Sequence, residues 1–407
     1  MKNEICRELD LARGAVNWRL LKTASLIMFL IGAAAFVIGI CGADPRRAWS
    51  AYVTNYVYWT GLAFGTFLLS PVLVVTNATW GRPVKRIAES VALFLPVSFI
   101  LLWPLLLGRE TVFWWVHNPN PEKAAWLNTP FFFAREGLGL LLMATVALIF
   151  VYHSVQSDRK WIDNGDEATE RHTNAQATLS PVFIILYAFI LTLLSFDLIM
   201  SLNPEWFSTL FGAYYFVVSF YSGLAVVIFI SALAVRNMGL GKLIEKKQFH
   251  DLGKLLFAFC IVGADFFYVQ FLVIWYGNLP DETRYVIARV NYDPWALLAW
   301  LVLLMVYVIP FLVLVFRKIK MKPGVMIFVS CWVFIGIWLE KFLLVAPSLL
   351  KRKTLPLGFQ EIFVTIGFLG IFAFCVFWFL ERYPILAFSD PKLRTALEPE
   401  EEAVHVI

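Results

Sequence analysis

Apolar residues in this chain come in ten blocks, near 20–40, 51–77, 88–107, 131–155, 179–202, 211–235, 254–277, 294–316, 324–347 and 360–380, with polar stretches between them. A helix needs about 20 such residues to cross ~30 Å of hydrocarbon, and none of the blocks alternates as a barrel strand would. The pattern predicts an all-α integral membrane protein of about ten transmembrane helices. A polar segment, 1–19, precedes a membrane domain at 20–383, and a tail at 384–407 follows it. The first block is long enough to stay as a span rather than be removed as a leader. Pro71, Pro96, Pro104 and Pro310 fall inside or at the edge of spans, where neighbouring helices must satisfy the backbone groups they free.

Composition agrees: 60% of residues are hydrophobic and 15% charged, mean hydropathy is +0.73, and a soluble domain would carry about 25% charged residues. Charge sets direction. The N-terminal segment, alternate loops and the C-terminal tail hold 23 of the 34 Lys and Arg residues, and the opposite loops hold 9. This predicts both termini in the cytoplasm. The net charge of +5 is spread over several loops, which excludes a nucleic-acid footprint. The acidic stretch with Glu398, Glu400, Glu401 and Glu402 reads as a solvated end.

The five cysteines (Cys6, Cys41, Cys260, Cys331, Cys375) form no C-x-x-C, and no two of the five histidines sit paired at mid-membrane depth. Iron–sulfur or bis-histidine haem ligation is therefore not expected in this chain. The outward loops are short apart from 108–130 and 278–293, so a redox domain would have to belong to another chain. The second and sixth spans share a run, Thr60-Gly61-Leu62-Ala63 and Ser222-Gly223-Leu224-Ala225, which suggests a duplicated bundle or a chance likeness of apolar helices.

Intramembrane charge is the informative chemistry, because a charged group at the bilayer centre costs at least ~2.5–3.5 kcal/mol and usually meets a partner or water. Asp265 falls at the middle of the seventh span, either as an inert acid or as a proton relay. Asp197 lies in the outer part of the fifth span, Glu340 and Lys341 in the outer part of the ninth, and Glu361 opens the tenth. Glu89 and His153 lie near the cytoplasmic ends of the third and fourth. Glu340 and Lys341, being adjacent, are each expected to need a partner on another helix. Arg135 and Glu136 read as anchors at the outer end of the fourth span.

Two segments carry a resemblance. One runs from Phe196-Asp197-Leu198-Ile199-Met200-Ser201-Leu202-Asn203-Pro204-Glu205-Trp206 to Tyr214. The other joins Asp251-Leu252-Gly253-Lys254 to Gln270-Phe271-Leu272-Val273-Ile274-Trp275-Tyr276-Gly277-Asn278-Leu279-Pro280. With Trp126-Leu127-Asn128-Thr129-Pro130 before Arg135 and Val84-Lys85-Arg86-Ile87-Ala88-Glu89, this resembles ActF-type membrane subunits of bacterial alternative complex III, within the wider NrfD-like polysulfide-reductase anchor group. The resemblance implies two four-helix bundles plus flanking helices. It also implies a bacterial inner-membrane complex that oxidises quinol at its outer face. Haem c and iron–sulfur clusters would sit in periplasm-facing iron–sulfur and multihaem cytochrome subunits, beside a homologous NrfD-like membrane subunit. Where such chains carry an aromatic-rich stretch, this one has Val262-Gly263-Ala264-Asp265, so Asp265 takes no role from the resemblance.

The expected function is thus a cofactor-free membrane subunit that scaffolds redox partners and offers two proton half-paths. The outer half-path would use Asp197, Glu340, Lys341 and Glu361; the inner one Glu89 and His153, with Asp265 between them. Asp281, Glu282, Arg284 and Arg289 in loop 278–293 are the expected docking residues. The rivals are a quinone-binding anchor of a related menaquinone reductase and a secondary transporter.

Overall fold

The computed structural model describes residues 13–164, 169–203, 206–350, 355–390 and 392–393. Cys6 and the acidic stretch from Glu398 to Glu402 lie outside the described residues. The helices that carry the fold are α1 (Trp18–Cys41), α2 (Pro45–Val75), α3 (Arg82–Leu102), α4 (Pro104–Val112), α5 (Thr129–Asn164), α6 (Glu170–Leu198), α7 (Phe211–Met238), α8 (Lys246–Gly277), α9 (Pro280–Val290), α10 (Trp295–Leu314), α11 (Pro323–Leu349) and α12 (Phe359–Arg382). Among the described residues nine are long and apolar enough to cross a membrane, and α3 with α4 makes a tenth crossing bent by 52°. Pro104 opens α4 just after the bend; it has no N–H to give the preceding turn, so the helix breaks there. The molecule has a near face, where α1 begins, and a far face.

α2, α3–α4, α5 and α6 pack as one group of four crossings, and α7, α8, α10 and α11 as a second. The two similar runs noted in the sequence open these groups and lie against each other. α2 and α7 descend in parallel from the far face to the near face at the centre of the molecule, and they touch backbone to backbone. A Cβ at Gly65 would fall 2.0 Å from the Ser219 carbonyl oxygen, and one at Gly223 would fall 2.2 Å from the Thr66 nitrogen. Small residues allow this approach, which drives helix association where lipid offers no hydrophobic gain. Gly223→Val should therefore abolish recovery of monodisperse protein in detergent size-exclusion chromatography. Gly241→Ala, whose added Cβ meets only Val235 at 3.6 Å, should behave as wild type.

The remaining crossings, α1 and α12, pair with each other through a second close approach at Gly32 and Gly367 and lean on the first group through α2 and α3. The tenth-span acid, Glu361, sits at the far end of this pair. Arg47 at the start of α2 holds both its oxygens at 2.7 Å, and Glu361 also accepts from the Gly358 nitrogen at 2.9 Å as an N-terminal cap. It is separate from the acids described next.

Residues 278–293 were expected to be a loop; they contain the helix α9. Pro280 at its first position and Asp281 and Glu282 in its first turn favour a helix start. In α10 a π turn at Leu304–Val308 precedes Pro310. The Tyr221 hydroxyl takes up the Val306 carbonyl at 3.1 Å, and Tyr307 is turned inward toward α7 and α11.

Candidate functional site

Buried polar groups gather in two clusters, one in each half of the membrane. The far cluster begins at the start of α5, where the Asn128 side chain accepts the Phe131 N–H at 3.0 Å and fixes the first turn. Arg135, one turn on, donates from Nε to Asp197 Oδ2 at 2.6 Å and from Nη1 to the Trp126 carbonyl at 2.8 Å. Trp126 Nε1 donates to the other Asp197 oxygen at 3.0 Å, and the guanidinium lies 4.1 Å from the Trp126 ring centroid. Asp197 is fully partnered and completely buried. The next residue, Glu136, is 1% exposed, and neither carboxyl oxygen receives a hydrogen bond from a donor. The carboxyl of Asp197 is its neighbour, and Tyr56 and Tyr215, whose hydroxyls donate to the Ser98 and Val57 carbonyls, lie near enough to feel its charge.

Tyr215 links this group to the second acid site, since Glu340 also lies within its electrostatic reach. Glu340 and Lys341 were expected to find partners on other helices. Instead Lys341 Nζ folds back to Glu340 Oε1 at 2.8 Å, because a four-carbon stem is long enough to turn along its own helix. The ammonium also lies 4.9 Å from the Tyr215 ring and 5.6 Å from that of Tyr214. Glu340 Oε2 has no partner. It borders a cavity of about 110 Å³ that Tyr214, Tyr307, Arg289, Tyr285 and Trp206 also line, with room for several waters. The Tyr214 and Tyr307 hydroxyls are 3.0 Å apart, and Trp206 stacks on Tyr285 at 3.8 Å.

Arg289 belongs to this cavity wall and not to a docking surface. It is 6% exposed and donates to the Leu343 and Leu344 carbonyls and the Ser348 hydroxyl, which ties α9 to α11. Burial lowers the pKa of its guanidinium and raises that of the Tyr285 phenol beneath it. Asp281 and Arg284 are exposed on the same short helix, and Glu282 is partly so.

The near cluster is built around Glu89, fully buried at the end of the first turns of α3. It accepts from Ser70 on α2 at 3.0 Å and from Ser154 on α5 at 2.8 Å, and Arg86 Nε is 3.3 Å away. Arg86 also bridges to Asp158 at 2.5 Å. The chain after α12 closes the cluster from below. The Ser389 N–H donates to Asp158 at 3.0 Å, while Asp390 takes Arg82 at 2.7 Å and Lys85 at 3.4 Å. Burial pushes the Asp390 carboxyl up, but Lys85 and Arg82 outweigh it and hold it below its ordinary value. Its contribution to stability is thus complete above the ordinary carboxylate range and is lost as pH falls through that lowered value.

His153, expected beside Glu89, is half-buried and lies 2.9 Å from His172, ring nitrogen to ring nitrogen; its neighbour Ser154 takes the inward position. Asp265 was expected between the half-paths. It lies on the exposed side of α8, joined to neither cluster. Among the described residues no three His, Cys, Asp or Glu side chains gather as a metal site. Between the clusters runs the α2/α7 seam, which carries Tyr215, Ser219 and Thr66 toward the Ser70–Glu89 bond.

A family model described as Polysulphide reductase, NrfD matches residues 41–351. The chain belongs to the NrfD family. NrfD proteins are membrane subunits of quinone-interacting oxidoreductase complexes and work with iron–sulfur or other redox subunits. No curated protein matches the sequence. The NrfD match takes in both groups of four crossings and leaves out almost all of α1 and the whole of α12. Asp197, Glu136, Glu340 and Glu89 all lie inside it; Glu361 and Asp390 lie beyond it.

Sequence reasoning missed Glu136 as a buried acid, and Arg86, Asp158 and Ser154 as partners of Glu89. The signal was present in helical phase. Glu136, Leu140, Met143, Ala147, Phe150, Ser154 and Asp158 recur at three- and four-residue spacing, and all are buried. That stripe passes through Ser154 and leaves His153 beside it.

Proposed function

We propose that this NrfD chain is the cofactor-free membrane subunit of a quinol-oxidising respiratory complex of the alternative complex III type in a bacterial inner membrane. The near face is cytoplasmic, in keeping with the partition of Lys and Arg. The far face, with the connection 113–128 and Asp281, Glu282 and Arg284 of α9, docks the iron–sulfur and multihaem cytochrome subunits that carry the electrons. A homologous membrane subunit stands beside it.

Within this chain protons move between the two clusters. Asp197 is the fixed counter-ion of Arg135, and Glu136 is the group that takes and releases protons. Tyr215, Ser219 and Thr66 lead along the seam to Ser70 and Glu89. The observation that carries this reading is the Glu136 carboxyl, buried and without a donor between an ion pair and two tyrosines. Such an acid is costly unless its protonation is used.

Glu136→Gln should leave the complex assembled and quinol oxidation intact when uncoupled, while protons moved per electron in sealed vesicles fall. Wild-type stoichiometry in that variant would remove Glu136 from the path. Reporters placed after Ile407 and within 157–178 should both report cytoplasm, and a periplasmic signal from either would invert the assignment of faces.

A second reading places a quinol headgroup in the cavity beside Glu340. The unpartnered Oε2 and the Tyr214–Tyr307 pair supply the proton acceptor and hydrogen bonds that quinol oxidation needs. An azidoquinone should then label α9 or α11, and labelling confined to other subunits would exclude it.

A further inference from the structure

Asp265 differs from the acids of the two clusters. Glu89, Glu136, Asp158, Asp197 and Glu340 are all under 5% exposed, whereas Asp265 lies on the open side of α8 and makes no hydrogen bond or ion pair with the described residues. It is the only charged residue between Lys254 and the end of α8 at Gly277. At 1.5 Å per residue this puts it about 16–18 Å from Lys254 and from Gly277, the middle of the hydrocarbon. Only 17% of the apolar window of α8 is buried in this chain, against 89% for α2.

The exposed side of α8 carries this acid among apolar and aromatic neighbours. Lys254, Ala258, Ile261, Asp265, Tyr268, Leu272 and Trp275 are all exposed and follow one another at spacings of four and three. A second helix can pack along such a stripe, and a polar residue on it fixes register and choice of partner. α1 is equally uncovered but has no charged residue from Thr23 to Cys41, as suits a helix that faces lipid.

We propose that this stripe is the seat of a transmembrane helix from a different subunit, which presents a lysine or arginine to Asp265 at mid-membrane. The charge there calls for an opposite charge, and at that depth in hydrocarbon the segment that brings it must be a helix. This rests on the reading of the chain as part of a larger membrane complex. The test starts from that intact complex, so only the seat on α8 is at stake.

In native membranes dicyclohexylcarbodiimide, which attacks carboxyls facing hydrocarbon, should leave Asp265 unmodified. It should label Asp265 once stronger detergent has separated the chain, as read by peptide mass spectrometry. A photo-crosslinking residue at Leu272, two turns along the same stripe, should join one segment of another subunit with a Lys or Arg within about two turns of the adduct. Asp265→Leu should reduce recovery of that subunit in mild detergent by about tenfold or more, with the chain itself still monodisperse; Asp265→Asn should reduce it less. Ready labelling in the intact complex, cross-links to lipid or to a second copy of this chain, or undiminished recovery with Asp265→Leu would each overturn the proposal.

Discussion

Arg86→Ala should destabilise the folded chain by about 3–5 kcal/mol, the cost of breaking a buried ion pair from one side. Arg86 is fully buried and answers two carboxylates, Asp158 at 2.5 Å and Glu89 at 3.3 Å, besides the Ser154 carbonyl at 3.2 Å. Truncation would leave both acids without their nearest cation, because Lys85 is committed to Gln176 and Asp390. Arg86→Lys should be intermediate, since an ammonium on a single stem cannot span both carboxylates in a planar fork. The triple variant R86A/E89Q/D158N should recover much of the loss. Thermal unfolding in detergent, followed by reaction of the buried thiols of Cys260 and Cys375, measures all three. A single variant as stable as wild type would mean that water already screens this cluster.

The second large effect concerns the far half. Lys341→Met should also cost roughly 3–5 kcal/mol, because it removes the ammonium bonded to Glu340 beside the cavity. The double variant E340Q/K341M removes both charges at nearly constant shape, and it should return most of that stability. Its function should not return. If the cavity holds a quinol headgroup, as the second reading has it, the acid that would take its proton is gone, so quinol-linked proton movement should stay low in a chain that folds and assembles normally. Stability and coupling would thus separate in one pair of variants. A double variant that is stable and fully coupled would make Glu340 and Lys341 a structural pair only.

The ten crossings are legible in the sequence because block length alone decides what spans a bilayer. The shared Gly-Leu-Ala run lies on the two helices that meet at the centre, since small residues permit the approach of α2 to α7. The acids were harder. Depth along a helix can be counted, so Asp197, Glu340 and Glu89 could be placed in the correct half. Which side of the helix they occupy depends on phase against neighbours, and Asp265 shows the cost of arguing from depth alone: mid-membrane and inside the bundle are different statements. Arg289 failed for a related reason. Its charge suggests solvent, but Tyr285 one turn earlier gives it a flat ring to lie on, 3.5 Å from the centroid, and that pairing needs α9 to be a helix. The fold-back of Lys341 onto Glu340 turns on rotamers, which no spacing rule contains.

The clasp between α1 and α12 also bears on how the protein is made. Gly32 and Gly367 touch across more than three hundred residues of sequence, and a ribosome adding about 5–20 residues per second needs roughly 15 s to a minute to cover that distance. For all of that interval the first helix waits in the bilayer with its glycine groove open, while eight crossings insert and assort themselves beside it. The helix that fills the groove leaves the translocon only after those eight crossings, so this clasp closes once both groups of four have been made.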